Sequence, residues 1–209
     1  MRLGRDFIAR HGETVFNAAR RLQGDHPHTP LTRAGFAQAD EMGAALHRLL
    51  GPKPPLTLWA SPAGRALQTL AVMAEHVGLD WHAAKNDARL VEIGMGDWGG
   101  LYYYDLKGDG PIIDARTGLF AQRAPGGEWY DEIAARVSGW LADTNDDPGD
   151  RLIVMHGISS RVMRGVMTGA EAEPHFAAPI APGLPQGSLV MIEGGVETLV
   201  YLGQGDAPA

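Results

Sequence analysis

The sequence predicts an α/β fold, in which short apolar strands alternate with amphipathic helices around an open sheet. Two observations carry this prediction. Apolar runs end in polar residues at Arg10-His11, at Ser61 and at His156. Each of these runs is followed by a segment whose apolar residues have helical spacing. In open α/β sheets the carboxyl ends of the strands form the ligand-binding edge, so we expect these polar residues to meet there.

Composition limits the classes of protein to which the chain can belong. Its 209 residues are 44% hydrophobic and 21% charged, which predicts a single domain over residues 1–209. A net charge of −7 argues against nucleic acid and anionic membrane as partners. The absence of cysteine excludes disulfides, thiolate metal sites and a cysteine nucleophile. The first residues lack the apolar stretch of a secretory signal and no run approaches transmembrane length, so we expect a cytoplasmic location.

The strands are predicted from apolar runs bounded by turn residues. A closing hairpin is expected around Gly194-Gly195. The predicted strands are the apolar run from Phe7 that ends in Arg10-His11, Leu56–Ala60, a short strand over Trp81–Ala84, Arg151–Met155, Ser188–Glu193 and Thr198–Leu202.

The helices are predicted from N-cap residues and glycine stops. One helix follows Thr32 as N-cap, and a second begins with Ser61 as N-cap and Pro62 in its first turn. A third opens at Gly126–Glu128, and a fourth runs from Ser159-Ser160 to Gly169. Residues 17–28 are polar and next to prolines, so they are expected to form a loop over the strand ends.

Residues 94–125 are expected to form an excursion that covers the strand ends, because much of this stretch is rich in glycine, proline and polar residues and lacks a clear period. It contains a GxGxxG pattern at Gly94–Gly99. A dinucleotide-binding fingerprint needs a firm strand before the glycines and a long helix after them. Neither is predicted here, so we do not assign a dinucleotide site.

Five residues near predicted strand ends form a set that suits phosphoryl transfer. Two arginines can bind the oxygens of a phosphate monoester bidentately and neutralise its charge. A histidine with an ordinary pKa of about 6.5, lowered further by neighbouring arginines, can attack phosphorus without a separate base. A carboxyl group that carries a proton can protonate the leaving oxygen. The five residues are Arg10, His11, Arg65, Glu92 and His156.

The sequence resembles the histidine phosphatase superfamily, the phosphoglycerate mutase-like proteins. The resemblance rests on short motifs that occur in the family's order and span most of the chain. These motifs are Arg10-His11-Gly12-Glu13-Thr14 with Asn17, Gln23-Gly24, Pro30-Leu31-Thr32 with Gly35, Ser61–Thr69 around Arg65, Leu90–Trp98 around Glu92, Pro125–Glu128, and Val154 with His156-Gly157.

The resemblance implies a three-layer α/β/α sandwich with a mostly parallel central sheet. It also implies that His11 is the phosphorylated nucleophile and that Glu92 is the proton donor. No metal and no cofactor are implied. The other implied site residues hold the phosphoryl group or contact the substrate: Arg10, Asn17, Gln23, Gly24, Arg65 and His156.

The chain departs from the family pattern in the segments expected to cover the site. Many relatives have Trp-Glu-Gly where this chain has Trp98-Gly99-Gly100, and a serine where it has Trp129. Trp98, Tyr102–Tyr104 and Trp129 form either an aromatic wall for an organic leaving group or the packing of the covering segment.

His26 and His28 lie in the loop next to the expected site. A metal pair would need a third ligand, and none has suitable spacing. Substrate contact and a solvated loop both remain open for these two residues.

The preferred function is a metal-independent phosphomonoesterase that hydrolyses a small phosphorylated metabolite through phosphohistidine at His11. A cofactor-dependent phosphoglycerate mutase is the first alternative, and the short segment after the predicted hairpin is expected to favour the hydrolase. The second alternative is a non-catalytic module that binds a phosphorylated ligand or a protein. The physiological substrate and the oligomeric state are left open by the sequence.

Overall fold

The computed structural model describes residues 3–147 and 149–205, and its centre is a six-stranded sheet. The strand order is β3-β2-β4-β1-β7-β8. The first four of these strands are parallel, and β7 and β8 complete the sheet as an antiparallel hairpin. A separate two-stranded pair is formed by β5 and β6. The strands are β1 Asp6–Arg10, β2 Leu56–Ala60, β3 Lys85–Asn86, β4 Asp150–Met155, β5 Ala172–Glu173, β6 Ala178–Pro179, β7 Leu189–Glu193 and β8 Val196–Tyr201.

Helices cover both faces of the sheet, which confirms the predicted three-layer arrangement with a mostly parallel sheet. No helix within residues 3–147 and 149–205 is both long enough and apolar enough to cross a membrane. The α-helices are α1 Val15–Ala18, α2 Arg33–Leu50, α3 Gly64–Val77, α4 Tyr130–Asp143 and α5 Gly157–Thr168. Single turns of 3₁₀ helix occur at Trp81–Ala83, Ala88–Leu90, Gly96–Trp98 and Tyr103–Asp105.

Alternation along the buried strands divides the core into two clusters. In β1, Phe7 and Ala9 face one way and pack with buried residues of α2 and α3. Ile8 faces the other way and belongs to the cluster built on α4 and α5. Because side chains of a strand alternate between its faces, a fully apolar strand fills both cores at once.

The central pair of strands delivers polar residues to one edge of the sheet. Arg10, the last residue of β1, is in register with Met155, the last residue of β4. His11 N–H donates to the Met155 carbonyl at 3.0 Å, and His156 is the next residue. The two histidines therefore leave neighbouring parallel strands at the same level.

The predicted strand over Trp81–Ala84 is wrong. Trp81–Ala83 forms a 3₁₀ turn, because the Asp80 carboxylate accepts from His82 N–H at 2.9 Å and caps it. The strand that pairs with β2 on this side of the sheet consists only of Lys85–Asn86.

Three predicted element starts also differ from the structure. Ser61 is not the N-cap of α3: Ala63 occupies that position, and the Gly64 amide donates to the Pro27 carbonyl at 2.9 Å. The third predicted helix, α4, begins at Tyr130 after the Gly126-Gly127 turn. The fourth, α5, begins earlier than predicted, at Gly157 directly after His156.

The predicted loop over residues 17–28 overlaps one short helical turn. Helix α1 extends through Asn17 to Ala18, because the Thr14 hydroxyl accepts from Asn17 N–H at 3.1 Å. The remainder of this stretch is irregular, as predicted.

Two glycines let the loop after β1 lie against α2. A Cβ at Gly12 would overlap the Gly35 carbonyl oxygen, and a Cβ at Gly35 would overlap the Glu13 carbonyl oxygen. The closeness of these two backbones fixes how far the His11 segment stands from the helix.

We predict that Gly35→Ala lowers the free energy of unfolding by about 1–3 kcal/mol, because overpacking forces the two backbones apart. Gly139→Ala is the matched control: Gly139 lies inside α4 and a Cβ there meets only Arg89 Nη1 at 3.8 Å. That control is expected to raise stability by about 0.5–1 kcal/mol. Chemical denaturation measures both, and a Gly35→Ala protein as stable as the parent would contradict the prediction.

Candidate active site

A cavity opens at the carboxyl edge of β1 and β4, beside α1 and the first turn of α5. Six of the sequence-predicted site residues line it, whereas Arg65 and His156 lie behind it and are 0% exposed. The lining residues are Arg10, His11, Asn17, Arg21, Leu22, Gln23, Gly24, Glu92, Ile93, Met95, Tyr103, Phe120, Gly157 and Ile158.

His11 is held in one tautomer. Its Nδ1 lies 2.7 Å from the Gly12 carbonyl oxygen, which can only accept, so Nδ1 carries the proton. In the neutral ring Nε2 then has its lone pair available. Burial lowers the pKa of His11 well below 6.5, and the charges of Arg65 and Arg10 lower it further. A neutral imidazole with a free Nε2 is therefore the state favoured at neutral pH.

His156 is held in the opposite tautomer. Arg65 Nε–H donates to its Nδ1 at 3.1 Å, so the proton of the neutral ring lies on Nε2. This Nε2 is buried and has no hydrogen-bond partner among the described residues. Burial, Arg65 and the neighbouring His11 lower the pKa of His156 well below 6.5. The two imidazole rings meet edge to face, with centroids 5.1 Å apart.

Arg65 joins three segments of the chain. Besides His156, its Nη1 donates to the His26 carbonyl at 2.7 Å and to Thr29 Oγ1 at 2.9 Å, and its Nη2 donates to the Gly24 carbonyl at 2.6 Å. These bonds use four of the five guanidinium N–H groups. Burial lowers the pKa of Arg65 to about 10, which leaves it charged at neutral pH. Arg65 thus orients His156 and the 24–29 loop, and one N–H remains for a ligand.

Arg10 contributes a second buried positive charge, on the cavity wall. Its Nη1 donates to the Leu184 carbonyl at 2.7 Å, and a Cβ on Gly157 would lie only 3.2 Å from the guanidinium. Glycine at 157 therefore lets α5 start beside this side chain. Burial lowers the pKa of Arg10 to about 10, although Glu92 and Tyr103 act in the opposite direction. Arg10 also stays charged at neutral pH.

Glu92 is anchored at the beginning of α5. Its Oε1 accepts from Ser159 N–H at 2.8 Å and from Ile93 N–H at 3.0 Å. Its Oε2 accepts from Ile158 N–H at 3.0 Å. Amides at a helix N-terminus point outward and favour an oxygen acceptor there. These bonds hold the carboxyl group in place at the cavity. Oε1 accepts two hydrogen bonds and Oε2 accepts one.

Asn17 and Gln23 are linked on the opposite side of the cavity. Asn17 Oδ1 accepts from Thr14 N–H and from Gln23 Nε2, both at 3.1 Å. Its Nδ2 has no acceptor among the described residues, so it is available to a ligand. Gly24, with a φ of +48°, lets the chain pass Met95 and Ile93 closely.

The aromatic residues divide between wall and packing. Tyr103 lines the cavity and stacks on Phe120, with centroids 6.2 Å apart. Trp98 is buried against Phe120, and Trp129 packs on Tyr130.

Tyr102 stacks on Tyr104 at 5.0 Å, and these two residues do not line the cavity. His26 packs against Phe16. Within the described residues, no group of three potential metal ligands includes His26 or His28.

A family model described as "Histidine phosphatase superfamily (branch 1)" matches residues 7–202. The chain belongs to this superfamily. The matched range contains the Arg10-His11 strand end, the Arg65 helix, Glu92 and the His156 strand end, which confirms the resemblance on which the fold prediction rests.

Curated relatives include proteins named as a phosphatase and proteins named as a probable mutase. Glucosyl-3-phosphoglycerate phosphatase of Mycobacterium tuberculosis is 35% identical over 144 residues, which are 68% of this chain. The chain spans 61% of that relative's length. A protein of Enterobacter sp. (strain 638) named "Probable phosphoglycerate mutase GpmB" is 35% identical over 170 residues, covering 79% of this chain and 75% of the relative.

Solved structures share the fold over almost the whole chain. The native structure of the mycobacterial glucosyl-3-phosphoglycerate phosphatase superposes with a TM-score of 0.74 at 25% identity, covering 98% of this chain and 100% of the other. A mycobacterial protein named hydrolase 1 superposes with a TM-score of 0.77 at 25% identity, covering 97% of this chain and 99% of the other.

Several residues at the site were not identified from the sequence. The amides of Ile158 and Ser159 hold Glu92, and backbone groups leave no signal in a pattern of side chains. Thr14 links Asn17 to the strand end through its N-cap bond, and a capping pattern could have indicated it. Arg21 lines the cavity two residues before Gln23, and its charge beside a predicted substrate contact was the available signal.

We predict that both histidines stay neutral as the pH falls through 6.5, with the proton on Nδ1 in His11 and on Nε2 in His156. Nitrogen-detected NMR of the imidazoles measures the tautomers and the titration. The unfolded chain binds these protons near pH 6.5 while the folded protein does not, so stability is expected to fall as the pH decreases below that value. Titration of either ring at or above pH 6.5 would contradict the assignment.

Proposed function

We propose that the protein is a metal-independent phosphomonoesterase that hydrolyses a small phosphorylated metabolite through phosphohistidine at His11. The observation that carries this proposal is the pair of different hydrogen bonds at the two Nδ1 atoms, which favour opposite tautomers. His11 has an unprotonated Nε2 at the cavity, and His156 has a buried Nε2–H without an acceptor among the described residues. One ring can attack phosphorus while the other donates to a phosphoryl oxygen.

In the first step, His11 Nε2 attacks phosphorus and the bond from phosphorus to the ester oxygen breaks. The imidazole needs no general base, because Nε2 carries no proton that must be removed. The proton of the ring stays on Nδ1, which donates it in a hydrogen bond to the Gly12 carbonyl. The bond to Gly12 also fixes the ring plane, so the nucleophile is positioned before the substrate binds.

Arg10 at the cavity wall neutralises negative charge on the transferring phosphoryl group. His156 Nε2–H, behind His11, donates a hydrogen bond to one of its oxygens. Arg65 contributes mainly by holding His156, with its one remaining N–H available to a phosphoryl oxygen. Asn17 Nδ2 is a further donor from α1. Donors that are fixed before reaction stabilise a transition state without reorganisation.

Glu92 is proposed to supply the proton to the leaving oxygen. Oε2 accepts from a single amide, so it has a free position on which to carry that proton into the cavity. The alcohol then leaves neutral. In the second step the ionised Glu92 takes a proton from water, the water oxygen bonds to phosphorus, and the bond to His11 Nε2 breaks to release inorganic phosphate.

Two features support hydrolysis of a small metabolite. The cavity is lined in part by residues of the 94–125 segment, namely Met95, Tyr103 and Phe120, and we propose that this segment covers the site. Backbone bonds from Gly100 N–H to the Leu22 carbonyl and from Leu22 N–H to the Leu101 carbonyl hold it against the loop. The similarity to a glucosyl-3-phosphoglycerate phosphatase supports a phosphorylated metabolite as substrate. A cytoplasmic location and the absence of nucleic-acid and membrane partners stay predictions from the sequence.

The similarity to a protein named a phosphoglycerate mutase favours one second candidate. The same phosphohistidine would then transfer its phosphoryl group to a second substrate rather than to water. Phosphate release and phosphoglycerate isomerisation, assayed side by side with and without a bisphosphorylated primer, separate the two. Primer-dependent isomerisation that exceeds hydrolysis would overturn the hydrolase proposal. A folded protein that releases no phosphate from a broad panel and forms no phosphoenzyme would indicate a binding module.

We predict that His11→Gln lowers kcat on every phosphomonoester by at least about a thousandfold, because the nucleophile is lost. His82→Gln is the matched control, since His82 is an exposed residue of a surface turn. It should retain the parent's kcat. Phosphate release under saturating substrate measures both, and a His11→Gln enzyme within tenfold of the parent would refute the nucleophile assignment.

We predict that Glu92→Gln slows glycerol 3-phosphate about a hundredfold or more, but slows para-nitrophenyl phosphate less than tenfold. An alkoxide needs a proton as it leaves, whereas nitrophenolate does not. The two substrates serve as each other's control within one variant. Equal losses in kcat/KM on both would show that Glu92 orients the site rather than protonating the leaving group.

A further inference from the structure

An arginine with no assigned role lies at the same cavity as His11. The Arg21 guanidinium lies over the rings of Phe16 and Tyr102, with its central carbon 4.7 and 5.1 Å from their centroids. Its Nε–H donates to the Gly100 carbonyl at 2.8 Å. Contacts with two aromatic rings and one hydrogen bond order the side chain, while the edge that carries Nη1 and Nη2 remains available.

Arg21 has no carboxylate partner among the described residues. Two other arginines do: half-buried Arg136 pairs with Glu128 and buried Arg164 pairs with Glu197, both at 2.7 Å. The chain has a net charge of −7, so acidic residues are plentiful. An ordered cation that faces a cavity without an internal counterion is suited to an external anion.

The space next to Arg21 is left open by Gly99-Gly100. A Cβ built on Gly100 would have only two neighbours within 4 Å, Arg21 Nη2 at 3.6 Å and His26 Nε2 at 3.8 Å. Both nitrogens therefore border the same open space. A Cβ on Gly99 would lie 3.1 Å from His26 Nε2. With glycine at 99, the chain places no carboxylate of its own in this space.

We propose that Arg21 and His26 form a second anion subsite, which binds an oxyanion carried by the alcohol part of the phosphomonoester. The proposal rests on the proposed function, because it places the reacting phosphoryl group at Arg10 and His11. The second oxyanion is a carboxylate or a phosphoryl group, and the edge of a guanidinium binds either through two parallel hydrogen bonds.

The subsite acts on substrate choice. A contact with a remote group of the substrate contributes binding energy that holds the reacting phosphoryl group in place. When a substrate lacks the second anion, Arg21 and His26 contact water instead of the substrate. The loss of one charge-assisted hydrogen-bonded contact corresponds to roughly a ten- to hundredfold loss in kcat/KM.

Two matched pairs of substrates test the subsite. 3-Phosphoglycerate and glycerol 3-phosphate differ only in a carboxylate against a hydroxymethyl group. Fructose 1,6-bisphosphate and fructose 6-phosphate differ in one phosphoryl group. The parent enzyme is expected to prefer the first member of at least one pair by tenfold or more in kcat/KM, and the pair that responds identifies the oxyanion.

Gly99→Glu and Gly99→Gln are the matched variants, since they differ in charge and hardly in size. The glutamate puts a carboxylate beside His26 and Arg21, so it should reduce the preference at least tenfold, whereas the glutamine should keep it. Arg21→Gln should reduce the preference in the same way as Gly99→Glu. Thermal melting of each variant checks that the fold is retained.

Three results would overturn the proposal: no preference in the parent enzyme for either doubly anionic substrate, an equal loss of preference in Gly99→Glu and Gly99→Gln, or an unchanged preference in Arg21→Gln. Turnover of para-nitrophenyl phosphate by the parent reports the proposed function separately. If the parent hydrolyses that substrate without any preference within the pairs, the subsite fails and the phosphatase stands. If the parent hydrolyses no phosphomonoester, both proposals fail.

Discussion

The guanidinium of Arg65 is the contact on which the rest of the site depends. Its donors hold His156 from one strand end and the carbonyls of Gly24 and His26 from the loop. Burial of a charged group is tolerated when its donors are satisfied, and four of five are. The bond to His156 Nδ1 leaves Nε2 as the nitrogen that would donate to the phosphoryl group in the proposed mechanism. One fully buried side chain thereby controls a tautomer and the shape of the cavity wall.

The two neighbouring imidazoles carry their protons on different nitrogens because their hydrogen bonds differ. The Gly12 carbonyl accepts a hydrogen bond from His11 Nδ1–H, whereas Arg65 donates to Nδ1 of His156, so the proton of the neutral His156 ring lies on Nε2. Burial and the two arginines disfavour a charge on either ring. In the proposed mechanism, one residue type thus supplies both the nucleophile and a hydrogen-bond donor. The positive charge proposed to meet the substrate comes from arginines, which remain protonated at neutral pH.

Much of the fold follows from sequence, because alternation and strand-end polar residues report directly on burial. β1, β4 and the final hairpin lie close to their predicted ranges, and Thr32 caps α2 as predicted. The start of α3 was wrong because a distant backbone carbonyl, Pro27, receives the first amide, and local propensity does not contain such a contact. The same limit applies to the site. Strand-end side chains were predictable, but the amides that hold Glu92 and the open space beside Arg21 depend on tertiary packing.

The proposed mechanism requires His11 Nε2 to accept the phosphoryl group. Quenching the enzyme during turnover in alkaline denaturant, which preserves phosphohistidine, and mapping the modified peptide by mass spectrometry tests it most directly. A phosphoryl group is expected on His11, at Nε2, and its amount should rise and fall on the timescale of turnover. A phosphoryl group on His156 or on any other residue, or full turnover with no covalent intermediate under rapid quench, would contradict it.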